Sequence, residues 1–210
     1  MRRKISEKQE SSFDRVHHDS VDIDNRVIYV TSESVTENGE ESGLDFQMSM
    51  RFIKNLDALN SINDKLITVK ASNIGGDWWH GLAMYDAMRL SVAPVHYYIF
   101  SCACSMGSIV PQSATRRIMY ENADMLIHLG DYHSPGHLKA VTSGLKFYNT
   151  KTPTMFDIYA KRCMGGPFFV AKKYSHSEVV SYLEEQVDRH GDWWLTSREC
   201  LEYGLVDLVI

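Results

Sequence analysis

The chain has 210 residues, 44% hydrophobic and 23% charged, which suits one soluble globular domain with a sizeable core. Its formal net charge of −5 gives no basic footprint for nucleic acid, and no stretch is long and apolar enough to span a bilayer. Cys102, Cys104, Cys163 and Cys200 show no metal-ligand spacing and read as reduced thiols of a cytoplasmic protein.

Residues 1–20 are polar and mixed in charge, with no apolar h-region. They read as a flexible arm rather than a secretory signal, ahead of a single domain over 21–210. Residues 26–31 are rich in β-branched and aromatic side chains and predict a strand. The acidic, Gly/Ser-rich stretch 32–43 is a loop. Phe46, Met50, Ile53 and Leu56 recur at helical spacing over 45–59. A strand at 65–70 leads into Gly75-Gly76 and a helix over 77–90. A largely apolar strand, 95–102, runs up to Ser105, followed by a short helix and a strand at 124–128. This β-α-β-α alternation predicts an α/β fold with a mainly parallel sheet under helical cover. Further on, Thr152 can cap a helix with Pro153 in its first turn, and the proline rules out one uninterrupted helix across this point. A Gly/aromatic stretch at 164–174 precedes another helix over 175–186. The helix at 45–59 and Phe168-Phe169 are candidate apolar surfaces for self-assembly.

Four features carry chemistry. Ser105, in Cys104-Ser105-Met106-Gly107, sits where a strand turns into a helix, which exposes the hydroxyl beside free backbone N–H groups. Gly75-Gly76 lets bare backbone approach a substrate. His128 stands at a strand end, and Asp192 lies between Gly191 and Trp193-Trp194, which can shield it from water. The order Ser, His, Asp is one permutation of the acyl-transfer triad. Each feature alone has an ordinary structural explanation: a tight turn, a capped strand end, a loop carboxylate.

Taken in order, these pieces resemble the ClpP family, the proteolytic subunits of Clp protease. Gly75-Gly76 and the helix from Gly81 to Met88 are similar to the family's Gly-Gly turn and amphipathic helix. Ser105-Met106-Gly107 resembles its nucleophile turn, Met125-Leu-Ile-His128 its histidine strand, and the run from Leu195 to Asp207 its C-terminal signature. The resemblance implies the ClpP/crotonase-like superfold of repeated β-β-α units with a helical extension, and heptameric rings, single or stacked in pairs. It has two departures. The region 129–175, where the family has one long handle helix, is interrupted at Pro153 and carries the insertion at 164–174. Gly191 stands where the family usually has Arg. Together these suggest a specialised, possibly phage-type, member.

The resemblance implies roles. Ser105 attacks the scissile carbonyl, activated by His128 as general base, with Asp192 orienting the imidazole; Asp131 and Asp188 are alternative acids. The Gly76 and Met106 amides form an oxyanion hole worth ~3 kcal/mol per donor, and Gly75 lets the substrate approach. The activity implied is serine endopeptidase cleavage of unfolded polypeptide inside a ring chamber. The chain carries no Gly-x-x-x-x-Gly-Lys loop, so threading of folded substrates needs a separate AAA+ unfoldase. No cofactor is expected. His128, His133 and His137 lack the partners of a known metal site, so no metal is expected either. Alternatives on the same fold are a capsid-maturation protease and a crotonase-type acyl-thioester enzyme that would need no serine.

Overall fold

Runs of β-branched and aromatic residues build the sheet, and amphipathic helices cover it. The computed structural model describes residues 7–32, 34–39, 41–131 and 136–210. In chain order these form α1 (Glu7–His18), β1 (Val21–Asp22), β2 (Val27–Thr31), α2 (Phe46–Ile62), β3 (Ile67–Asn73), α3 (Trp78–Arg89) and β4 (Val95–Cys104). Next come α4 (Met106–Ile109), a 3-10 turn (Val110–Ser113), β5 (Arg116–Met119) and β6 (Asp124–Ile127). The C-terminal part comprises α5 (Leu138–Asn149), α6 (Thr152–Cys163), α7 (Pro167–Lys172), α8 (His176–His190), β7 (Trp193–Thr196), α9 (Ser197–Tyr203) and β8 (Leu208–Val209).

Strands β2, β3, β4, β5 and β8 lie side by side in parallel, with β1 antiparallel on the outer edge of β2. Strand β4 has two successive neighbours: residues 96–99 pair with β5 and residues 102–104 with β6. Its register against β3 shifts between Ala71 and Asn73, the kind of irregularity that bends a strand, and Phe100 and Ser101 are exposed there. β6 in turn pairs antiparallel with β7. This is the mainly parallel α/β architecture that the sequence predicts. The core lies between sheet and helices, where Val69, Tyr97 and Ile99 pack with Phe52, Leu56 and Met84.

Several expectations are amended. Part of the stretch expected as a flexible arm is helical, since α1 occupies Glu7–His18. The Asp19 carbonyl after it accepts from Asn55 Nδ2 on α2 at 2.7 Å. Thr152 is the first residue of α6 rather than its cap, which falls on Lys151, and Pro153 lies in the first turn. Phe168 and Phe169 do not form a free apolar face of the subunit. Phe169 is buried, and both rings pack with Tyr182 and Tyr203 in an aromatic cluster of the subunit itself. On α2, Phe52, Leu56 and Leu59 face the subunit's own core. The long helix does break before Pro153: α5 buries none of its residues, whereas α6 buries six.

Candidate active site

Ser105 and His128 stand at the C-terminal ends of neighbouring strands. β4 ends with Cys104 opposite Leu126 of β6, and the next residue, Ser105, donates its N–H to the Leu126 carbonyl at 2.9 Å. The chain then reverses into α4. Ser105 takes φ 52° and ψ −125°, a conformation that costs a non-glycine residue about 1–3 kcal/mol. Its surroundings hold it there: the Ser105 carbonyl accepts from Ser108 N–H at 2.9 Å and from Ser108 Oγ at 2.6 Å. The Ser108 hydroxyl lies 2.6 Å from the buried Tyr159 hydroxyl, which ties the turn to α6.

Asp192 reaches His128 through strand pairing. β6 and β7 run antiparallel with Ile127 opposite Trp193, so the next pair in register is His128 and Asp192. His128 Nδ1 lies 3.1 Å from Asp192 Oδ1. The 164–174 stretch therefore does not displace Asp192 from His128; with α5 and α8 it forms an excursion whose ends return to adjacent strands. Gly191, at φ 69°, caps α8 and turns the chain into β7. The expected shield is absent in the single subunit, because Trp193 is buried but the Asp192 side chain is 62% exposed. Asp131 lines the cleft without bonding His128, and Asp188 lies back on α8. Among the described residues the Ser105 hydroxyl makes no hydrogen bond, to His128 or to any other group. Such bonds often close only when substrate arrives.

Ser105, Met106, Gly76 and His128 line one cleft of about 550 Å³. Gly76 (φ 144°) is exposed toward it, Met106 begins α4, and neither backbone N–H is used by another described residue. Gly75, expected to let the substrate approach, is buried beneath the nucleophile turn. Its N–H is taken by Asn73 Oδ1 at 2.8 Å and its carbonyl by Leu44 N–H at 2.5 Å, so it offers substrate no backbone hydrogen bond. What it offers is space: a Cβ there would lie 2.5 Å from Ser105 Cβ, and φ is 99°.

The cleft has a roof that no local sequence pattern marks. α5 and the start of α6 fold over the cleft, contributing Phe147, Tyr148, Lys151 and Met155. Phe147 stacks on Trp79 from α3 with ring centroids 6.3 Å apart. The Tyr148 hydroxyl donates to the Leu129 carbonyl, one residue past His128. Burial, then the nearby Asp131 charge, push this phenol up, which keeps it a donor. Three residues before Ser105, Cys102 is drawn well below the usual thiol range, chiefly by the neighbouring Cys104 thiol and also by Ser72 Oγ at 3.7 Å; Cys104 is pushed up by the same partner and by burial.

Among the described residues no group of three or more His, Cys, Asp or Glu side chains could hold a metal. His137 instead caps α5, with Nδ1 accepting from Ala140 N–H at 3.2 Å; His133 lies outside the described residues. No described helix is long and apolar enough to cross a membrane.

Residues 40–210 match the family described as Clp protease. The chain is 28% identical over 172 residues to an "ATP-dependent Clp protease proteolytic subunit" of Deinococcus radiodurans, covering 80% of this chain and 76% of that protein. Proteins of the same name from Streptococcus uberis and Streptococcus sanguinis are 28% and 27% identical over 150 residues, each alignment covering 70% of both chains.

Proposed function

The chain belongs to the Clp protease family, and on that premise we propose that it hydrolyses peptide bonds through Ser105, His128 and Asp192. The observation that carries the reading is the convergence of three chain segments. Ser105 and His128 face one cleft, and Asp192 meets the His128 nitrogen directed away from it.

In this mechanism Ser105 Oγ attacks the scissile carbonyl carbon while His128 Nε2 takes the hydroxyl proton. Asp192 fixes the tautomer through Nδ1 and offsets the imidazolium charge. The carbonyl oxygen, now negative, accepts from the Gly76 and Met106 amides. His128 then gives its proton to the leaving amine, and water repeats the sequence on the acyl-enzyme. The stacked Trp79–Phe147 pair gives the cleft an apolar wall for side chains of an extended chain.

The relatives' name carries the rest of the reading. Their activity is ATP-dependent, and this chain has no nucleotide loop, so a separate AAA+ unfoldase would feed unfolded polypeptide into a ring of these subunits in the cytoplasm. The rings are heptameric, one or two to a particle.

A fluorophosphonate probe with site mapping tests the chemistry. It is expected to label Ser105, and Ser105→Ala is expected to lose both labelling and peptide cleavage. Undiminished hydrolysis by that variant refutes the reading. Light scattering tests the chamber: a particle many times 24.0 kDa is expected, and an active strict monomer refutes it.

A further inference from the structure

We infer that Asn73 is a positioning residue that holds the oxyanion-hole amides in place through its side chain; the inference rests on the reading of Ser105 as nucleophile. Asn73 ends β3 directly after the register shift against β4, and it is 1% exposed. Burying an amide is unfavourable unless its polar atoms are matched. Here the match is specific. Oδ1 accepts the Gly75 N–H at 2.8 Å, and Nδ2 faces the Met48 thioether at 3.2 Å, a weak acceptor. The Gly75 donor requires an oxygen at that point, which fixes the orientation of the amide.

That bond closes a side-chain turn over Ile74 and directs the next residue. With the Gly75 N–H held, the backbone runs through φ 99° at Gly75 and φ 144° at Gly76, conformations that only glycine adopts freely. From the far side, Leu44 clamps the same turn. Its N–H binds the Gly75 carbonyl, and its carbonyl binds Asp77 N–H at 2.9 Å. The two clamps leave the Gly76 N–H, at the cleft, unused by any described residue. Asn73 also touches the other half of the hole. A Cβ on Gly107 would lie 2.6 Å from the Asn73 carbonyl oxygen and 2.9 Å from Oδ1, so the helix that begins at Met106 packs directly on this residue. One buried side chain thus meets the frames of both donors while touching neither substrate nor Ser105.

The test compares Asn73→Ala, Asn73→Ser and Asn73→Cys in the assembled enzyme. Hydrolysis of a fluorogenic peptide is measured together with inhibition by a peptide boronate, whose tetrahedral adduct places an oxygen in the hole. Asn73→Ala is expected to lower kcat about 10- to 100-fold with KM changed less than threefold, and to weaken boronate binding in proportion. A serine hydroxyl two residues before Gly75 can accept the same N–H, whereas a thiol of similar size accepts poorly. Asn73→Ser is therefore expected to exceed Asn73→Cys at least tenfold in kcat, a comparison that stands even if the alanine variant fails to fold. Equal kcat for the serine and cysteine variants, or wild-type kcat and boronate affinity in Asn73→Ala, overturns the inference while leaving the triad intact. Loss of the triad reading itself shows separately, as hydrolysis that survives Ser105→Ala.

Discussion

Replacing Asp192 by Asn keeps the size of the side chain and removes its charge. The carboxylate lies 3.1 Å from His128 Nδ1. At that separation two unit charges attract by about 1.3 kcal/mol in water and by about 5 kcal/mol at an effective dielectric of about 20. The Asp192 side chain is 62% exposed, so screening places the pair in the lower part of that range, at about 1–3 kcal/mol. This is a direct loss of about 5- to 150-fold in kcat. The amide adds a second loss, because its NH2 can donate to Nδ1 and favour the tautomer with its proton on Nε2, the wrong side for a base. The expected fall in kcat is about 10²- to 10³-fold, short of the ~10⁴ of a buried triad acid. KM for a fluorogenic peptide stays within about threefold, with circular dichroism and melting temperature unchanged. A rate within threefold of wild type refutes the assignment. A crippling Asp131→Asn beside a mild Asp192→Asn moves the acid to the other carboxylate near His128. A loss well beyond 10⁴ refutes the screening argument instead.

Gly75→Ala places a methyl group 2.5 Å from Ser105 Cβ at φ 99°; it is expected to abolish fluorophosphonate labelling and to lower the melting temperature by several degrees. Asp207, in the C-terminal signature, binds the buried Arg117 through its backbone N–H at 2.7 Å and through Nε at 3.0 Å. Burial raises this carboxyl, but the Arg117 bonds outweigh it and hold it below the usual carboxylate range, so the pair stabilises the fold above about pH 4 and that contribution fades as pH falls further. Asp207→Ala is expected to cost about 3 kcal/mol at neutral pH by urea unfolding, with a smaller deficit in acid; an equal deficit at pH 3 and pH 7 contradicts this. With its thiol drawn down by Cys104, Cys102 is expected to react with iodoacetamide at lower pH than the other cysteines, read by peptide mass mapping; first alkylation at Cys163 or Cys200, both buried, contradicts it.

The sequence alone determined the elements whose signal is local. β3, α3 and β4 fall within a few residues of their expected bounds, because alternation, helical spacing and the Gly pair each act over a few neighbouring residues. Ser105 was legible for the same reason, since a serine between an apolar strand and a Met-Gly turn signals its own exposure. The partnership of His128 with Asp192 was not local. It depends on β7, a four-residue strand whose pairing with β6 no local pattern marks. A short strand is defined by its neighbour's hydrogen bonds rather than by its own pattern, and that neighbour lies 64 positions away in the chain. Asn73 is hidden in the same way: in the sequence it is one polar residue before a Gly pair, and only packing shows that its amide is buried against Gly75 and Gly107. The cleft roof from α5, the aromatic cluster that takes in Phe168 and Phe169, and the exposure of Asp192 likewise belong to the tertiary structure. Each is set by which surfaces meet, a sum over contacts distant in the chain that no window of sequence contains.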